Sequence, residues 1–116
     1  MTETDPDGRR PDQPGAKLDA GKAPIIGGVC HCFPHALKAV AEVSAYGATK
    51  YTWEGWKSVP DGIARYSDAM GRHILAEAID GAIDPETGLM HAAQAAWNAL
   101  ARLELMLRAG GGGGLP

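Results

Sequence analysis

Residues 89–107 read LMHAAQAAWNALARLELML, and the spacing within them decides the fold class. Leu89, Ala93, Ala96, Leu100, Leu103 and Leu107 recur at the three-to-four-residue interval that gathers side chains along one side of an α-helix. His91, Gln94, Asn98 and Arg102 repeat at the same interval on the opposite side. The reading predicts a helix from about Pro85, with Asp84 as its N-cap, to about Ala109. A solvated helix face is usually filled with Lys and Glu. A stripe of His, Gln and Asn, each able to donate and accept hydrogen bonds, points to a subunit contact or a surface that reads a base.

Working outward, a break at residues 81–84 separates this helix from one that starts near Asp61, an N-cap residue type, and runs to about Asp80. An earlier helix is predicted from about Pro34, suited to a first turn, to about Tyr46, with Leu37, Val40, Ala41 and Ser44 at helical spacing and Gly47 as the stop. No segment alternates with period two over β-branched residues. The fold class is therefore all-α, with about three main helices and long loops. Residues 15–28 hold Gly15, Gly21, Pro24, Gly27 and Gly28, too much punctuation for a regular element. Residues 47–62 form a second irregular stretch, at once aromatic and basic, with Lys50, Tyr51, Trp53, Trp56 and Lys57. Such a loop either shapes a pocket or seals the core from one side.

The chain of 116 residues corresponds to one domain. Residues 1–14 are rich in Pro, Asp and Gly and read as a disordered or extended arm; residues 15–109 form the domain, and 110–116 a glycine-rich tail. So small a core is often completed by oligomerisation. The net charge of −3 at pH 7 argues against an obligate duplex-binding protein and a stable nucleic-acid partner. No apolar run approaches a membrane span, and Met1 is followed by polar residues rather than a signal sequence, so a cytoplasmic location is expected. Cys30 and Cys32 flank His31 without a second pair, which reads as two reduced thiols at a helix start rather than a zinc site.

Chemistry concentrates on the second helix. His73, Glu77 and Asp80 fall at i, i+4 and i+7, on one face. Two carboxylates three apart can share Mg²⁺ or Mn²⁺, which take oxygen donors and leave positions for phosphate and water. Asp84 and Glu86 follow at the turn, so four acids stand close together in sequence; an ordinary solvated turn looks the same. Arg65, Asp68 and Arg72 form either an ion-pair ladder or a phosphate-binding stripe. Lys17, Asp19 and Lys22 lie in a glycine-flexible loop that fits neither the Walker A pattern nor the dinucleotide fingerprint, although its lysines could fold over a triphosphate.

Four segments taken in order, GAKLDAGKAP, YGATKYTWEGW, RYSDAMGRHILAEAID and DPETGLMHAAQAAWNAL, resemble the phage dATP/dGTP diphosphohydrolases, a branch of the MazG-like all-α nucleotide pyrophosphohydrolases. The combination of GA-K-Y, RY-x-x-A-x-x-RH and D-P-E-T-G-L-x-H is more specific than any one piece. The resemblance implies a helical bundle assembled as a homodimer or homotetramer, with sites built partly between subunits. It implies Mg²⁺ or Mn²⁺ and cleavage of a purine deoxynucleoside triphosphate, dGTP before dATP, to monophosphate and pyrophosphate. The setting it implies is nucleotide-pool control for phage DNA synthesis, including phages that use 2-aminoadenine.

In the wider superfamily an E-E-x-x-E motif precedes E-x-x-D. Glu77-x-x-Asp80 matches the second; helix one offers only Glu42 for the first. The metal set is accordingly completed as Glu77, Asp80, Asp84 and Glu86, with Glu77, Asp80 and Glu86 as the catalytic carboxylates and His73 and His91 nearby. Lys17, Lys22, Lys50 and Arg72 would offset phosphate charge, with Asp19, Tyr51 and His73 beside them. Trp53 or Trp56 would stack on the purine, and Asn98 would read its edge. The missing first motif keeps a non-enzymatic nucleotide-binding or regulatory module as the alternative, followed by an interaction protein and a single-strand nucleic-acid binder.

Overall fold

The computed structural model describes residues 2–110, so residues 111–116 of the glycine tail lie outside the described residues. Its main elements are α1 (Pro34–Ala48), α2 (Gly62–Asp80) and α3 (His91–Gly110), with a short 3-10 turn at Gly55–Ser58 and a wide π-type turn at Ile26–Cys30. Among the described residues there is no strand, only an isolated bridge between Ile83 and Met90. The all-α expectation holds. The chain divides after Pro34 into two compact units.

In the N-terminal unit the buried carboxylate of Asp5 is the organising group. It accepts the amides of Asp7 (2.8 Å) and Arg9 (3.3 Å) through Oδ1 and of Lys17 (2.7 Å) through Oδ2. The Ala20 amide donates to the Thr4 carbonyl at 2.9 Å. Residues 4–9 are thus tied to residues 17–20 in turns, because one carboxylate satisfies several amides that would otherwise need water. Lys22 pairs with Glu3 at 2.7 Å. Cys32 donates its thiol to the Gly27 carbonyl at 3.4 Å, at the turn that precedes α1.

The second unit is built on an α2–α3 hairpin. Its pairs run 73 with 91, 67 with 102 and 62 with 105, the descending order of antiparallel helices. The two helices approach closely at Gly62, where a β-carbon would stand 2.8 Å from Leu105 Cδ1. Beyond that point Trp56, Tyr66 and Trp97 pack edge to face, with ring centroids 5.7–6.5 Å apart. Each such pair adds about 0.5–1.5 kcal/mol beyond burial. That matters here, because among the described residues no large side chain is fully buried. Tyr66 Oη donates to the Trp56 carbonyl at 2.8 Å, and Trp97 Nε1 to Ser44 Oγ of α1 at 2.8 Å. α1 otherwise stands off, since none of its Cα atoms comes within 8 Å of one in α2 or α3.

Three sequence expectations are corrected. α1 continues through Gly47 to Ala48, and Gly47 instead supplies the carbonyl that receives the Lys50 and Tyr51 amides as the chain turns. Asp61 does precede α2, but with φ at 55° and no side-chain capping bond. The third helix begins at His91 rather than near Pro85. Residues 84–90 form a turn of their own, closed by the Gly88 amide on the Asp84 carbonyl (2.7 Å) and the Asp84 amide on the Leu89 carbonyl (2.8 Å). Gly88, at φ 75°, reverses the chain there.

The two stripes of α3 differ sharply in burial. His91, Gln94 and Asn98 are buried together with Ala93, Ala95 and Ala101, while Leu100, Leu103 and Leu107 are exposed. The polar stripe faces α2 and the connector; the leucine stripe does not.

Asp5 generates a prediction for the N-terminal unit. The Lys17 amide, with those of Arg9 and Asp7, outweighs burial and holds its carboxyl below the usual range. A folded value below the unfolded one means the tie is complete above about pH 4 and is lost as pH falls through that value and then the folded one. Amide exchange should show Lys17 protected at neutral pH, unprotected in acid, and unprotected at every pH in Asp5→Ala. Equal exchange in wild type and variant would mean the tie does not form.

Candidate functional site

Between α1, the 47–62 loop and the α2–α3 hairpin lies a cavity of about 1330 Å³. Small-ligand sites usually occupy about 300–1,000 Å³, so this space is larger than the usual range. Tyr51 and Trp53 line it with their rings largely free, 70% and 64% exposed. Trp56 also lines it, but its ring is engaged by Tyr66 and Trp97. Of the two candidate stacking tryptophans, Trp53 is the one with a free face.

Two cations line the same cavity. Lys50 Nζ lies over the rings of Tyr46 and Tyr51, 5.6 and 5.7 Å from their centroids. Arg72 lines the cavity from α2. Neither pairs with a carboxylate among the described residues. The ion-pair ladder of Arg65, Asp68 and Arg72 is absent there too, and Arg65 Nη1 donates to the Pro60 carbonyl at 3.2 Å.

At one end of the cavity His73, from the middle of α2, meets His91, the first residue of α3, with Nδ1 atoms 2.9 Å apart. Asp84 joins them from the connector. One ligand atom from each of the three residues lies within 4.8 Å of the others. His91 is 5% exposed and Asp84 8%. Asp84 Oδ1 accepts the Glu86 amide at 2.9 Å and Oδ2 accepts Gln94 Nε2 at 3.2 Å. Burial works against its charge, yet the Glu86 amide, Gln94 and the two imidazoles hold the carboxyl below its usual range. Burial, and then His91, push His73 below the usual histidine value against the pull of Asp84. The neutral imidazole is the metal-ligating form.

The four carboxylates expected to share a metal are not gathered. Among the described residues the one group of three or more metal-ligating side chains is His73, Asp84 and His91. Glu86 lines the cavity, whereas Glu77 and Asp80 are exposed and do not. Asn98 reaches the lining, but its Nδ2 is committed to the Gln94 carbonyl at 2.8 Å. Lys17, Asp19 and Lys22 belong to the N-terminal unit, where Lys22 is already paired. Gln94 had no role assigned as a support for Asp84. Only the ten-residue interval between them, one turn plus one helix start, encoded it, and nothing local reveals that.

Set beside known proteins, residues 12–112 match the family described as dATP/dGTP diphosphohydrolase, N-terminal, and the chain belongs to that family. It is 40% identical over 82 residues to the dATP/dGTP diphosphohydrolase of Salmonella phage PMBT28. That match covers 71% of this chain and 26% of the relative, so the chain spans about a quarter of the relative's length. No solved structure matches.

Because Asp84 holds both a helix-start glutamine and a turn amide, Asp84→Ala should destabilise the chain by about 1–3 kcal/mol, the usual penalty for orphaned buried donors. Asp84→Asn, which retains an acceptor for the Glu86 amide, should lose less. Thermal denaturation of the three proteins checks the order, and equal midpoints would show the network to be energetically idle.

Proposed function

We propose that this chain serves the metal-dependent hydrolysis of a purine deoxynucleoside triphosphate, dGTP first and dATP next, to the monophosphate and pyrophosphate, in control of the pool for phage DNA synthesis. The observation that carries the reading is the cavity wall itself. Exposed aromatic rings, unpaired cations, His73 and Asp84 all line it, with His91 buried behind them. The name of the phage relative supports the reaction class.

Tyr51 and Trp53 present faces on which a purine can stack. Lys50 and Arg72 supply positive charge for phosphate oxygens, Arg72 with a fork that can engage two at once. The donors present fit a divalent cation, Mg²⁺ or Mn²⁺ in this reading: Asp84 and Glu86 offer oxygens, and His73 and His91 stand beside them. When bound, such a cation supplies charge against the leaving pyrophosphate and a more acidic water. Glu77 and Asp80 enter the reading as catalytic carboxylates from their spacing on α2, Asn98 as a reader of the base edge. Burial and His91 disfavour the charged form of His73, which suits it to offer a lone pair.

A second reading, a nucleotide-binding or regulatory module, is favoured by the exposure of Glu77 and Asp80 away from the cavity and by the chain's share of its relative. A product assay with each deoxynucleoside triphosphate separates the two. Pyrophosphate and monophosphate from dGTP, abolished by chelation, is the expected result. Arg72→Ala should lower kcat/KM about ten- to a hundred-fold, the loss of about 1.5–3 kcal/mol for a hydrogen bond to charge. Nucleotide binding without pyrophosphate release would transfer the chain to the second reading.

We further propose a homodimer or homotetramer. Leu75 and Ile79 of α2 are 62% and 76% exposed and lie outside the cavity lining, an apolar surface that a second copy would cover. Sedimentation should show the Leu75→Glu, Ile79→Glu double variant shifted to a smaller species with its helical content intact. A wild-type chain that sediments as a monomer would remove the proposal.

A further inference from the structure

The side chains gathered at the end of the cavity are chemically different from the carboxylates that the spacing on α2 singles out. Two of the three donors are imidazole nitrogens. Mg²⁺ takes oxygen ligands in a strict octahedron and gives up water reluctantly. Imidazole suits the later first-row ions, and two histidines with one carboxylate is a donor set that those ions accept with coordination positions left open. We infer that His73, Asp84 and His91 form a binding site for one later first-row divalent cation of the Fe²⁺-to-Zn²⁺ series, held by this chain without nucleotide. The inference puts a later first-row ion in place of the Mg²⁺ or Mn²⁺ of the reading above, and rests on that reading only for the nucleotide's place in the cavity.

The two imidazoles rest in hydrogen-bond contact, with an Asp84 oxygen near enough for a small shift to bring all three onto one ion. The Nδ1 atoms of His73 and His91 lie 2.9 Å apart, close enough for one ion at about 2.0–2.1 Å from each nitrogen to bridge them. Their rings are tilted by 44° rather than stacked, with centroids 5.2 Å apart. His91 is fixed by its own backbone, since its amide donates to the Ala82 carbonyl at 2.9 Å. Asp84 is held by the Glu86 amide and Gln94 Nε2, the kind of outer hydrogen bonding that aims a ligating carboxylate. Each carboxylate oxygen has a further lone pair to offer. Glu86 and Arg72 complete the surroundings on the cavity side.

The test uses the whole chain, stripped with a chelator and dialysed without nucleotide against Zn²⁺, Co²⁺ or Mg²⁺. The expected result is one Zn²⁺ or Co²⁺ retained per chain, Co²⁺ giving visible ligand-field bands, with Mg²⁺ not retained. X-ray absorption at the zinc edge should count two imidazoles, a readout that needs no variant. His73→Ala and Asp84→Asn should each weaken retention about tenfold or more, while Glu77→Gln with Asp80→Asn keeps it. No stoichiometric Zn²⁺ or Co²⁺, an all-oxygen shell, or retention lost in the Glu77–Asp80 variant and kept in the other two would overturn the inference. Stoichiometric zinc on two imidazoles in a chain that hydrolyses no nucleotide would uphold the site and remove the hydrolase reading. Magnesium-supported hydrolysis by a chain that binds neither Zn²⁺ nor Co²⁺ would do the reverse.

Discussion

A carboxylate taken out of water must find hydrogen bonds or be neutralised, and Asp84 is the group on which that requirement falls most heavily here. It is answered by the Glu86 amide on one oxygen and Gln94 on the other. Gln94 lies in the first turn of α3, so the bond fixes the rotation of that helix about its axis. His91, three residues earlier, is then carried onto the same inward face, where it meets His73. Asn98 follows one turn later and closes its own donor on the Gln94 carbonyl. The site and the helix orientation are consequences of the same buried charge.

That constraint explains why the polar stripe of α3, and not its leucine stripe, is inward. Periodicity correctly separates two stripes on α3, but it cannot say which one is inward, because the rule that apolar faces are buried assumes an apolar partner. Here the partner is α2 and the connector, which offer His73, Ser67 and Asp84. Polar residues that satisfy one another are buried without an unpaired group, and among the described residues no buried side-chain donor or acceptor is left unpartnered. α3 starts at His91 and not at Pro85 for a related reason. Asp-Pro is a good helix opening on local grounds, but the Asp84 side chain is engaged with the Glu86 amide and with Gln94, and Gly88 turns the chain before a helix can form.

Elsewhere the sequence is transparent because the signals are local. Asp80 and Gly81 end α2 where the pattern stops, Pro34 opens α1, and the absence of period-two alternation excludes a sheet. The aromatic–basic character of residues 47–62 does mark a cavity wall, with Tyr51, Trp53 and Lys50 on it, although Trp56 is held in the aromatic cluster. The ligand group is harder to see. Donors on one helix announce themselves by intervals of three and four, which is why Glu77 and Asp80 stand out. His73 and His91 are eighteen residues apart on different helices, and only the hairpin brings them together.

Turning the polar stripe inward also determines what remains outside. Leu100, Leu103 and Leu107 face the cavity or solvent, and α1 reaches the hairpin through the Trp97–Ser44 hydrogen bond with no closer backbone approach. A helix standing off from its neighbours across an apolar-walled space leaves room both for a ligand and for adjustment around it. The aromatic trio, not a filled core, keeps the 3-10 turn, α2 and α3 in register while that space stays open. Burying one aspartate thus goes together with a cavity that has polar donors and leucines in one lining.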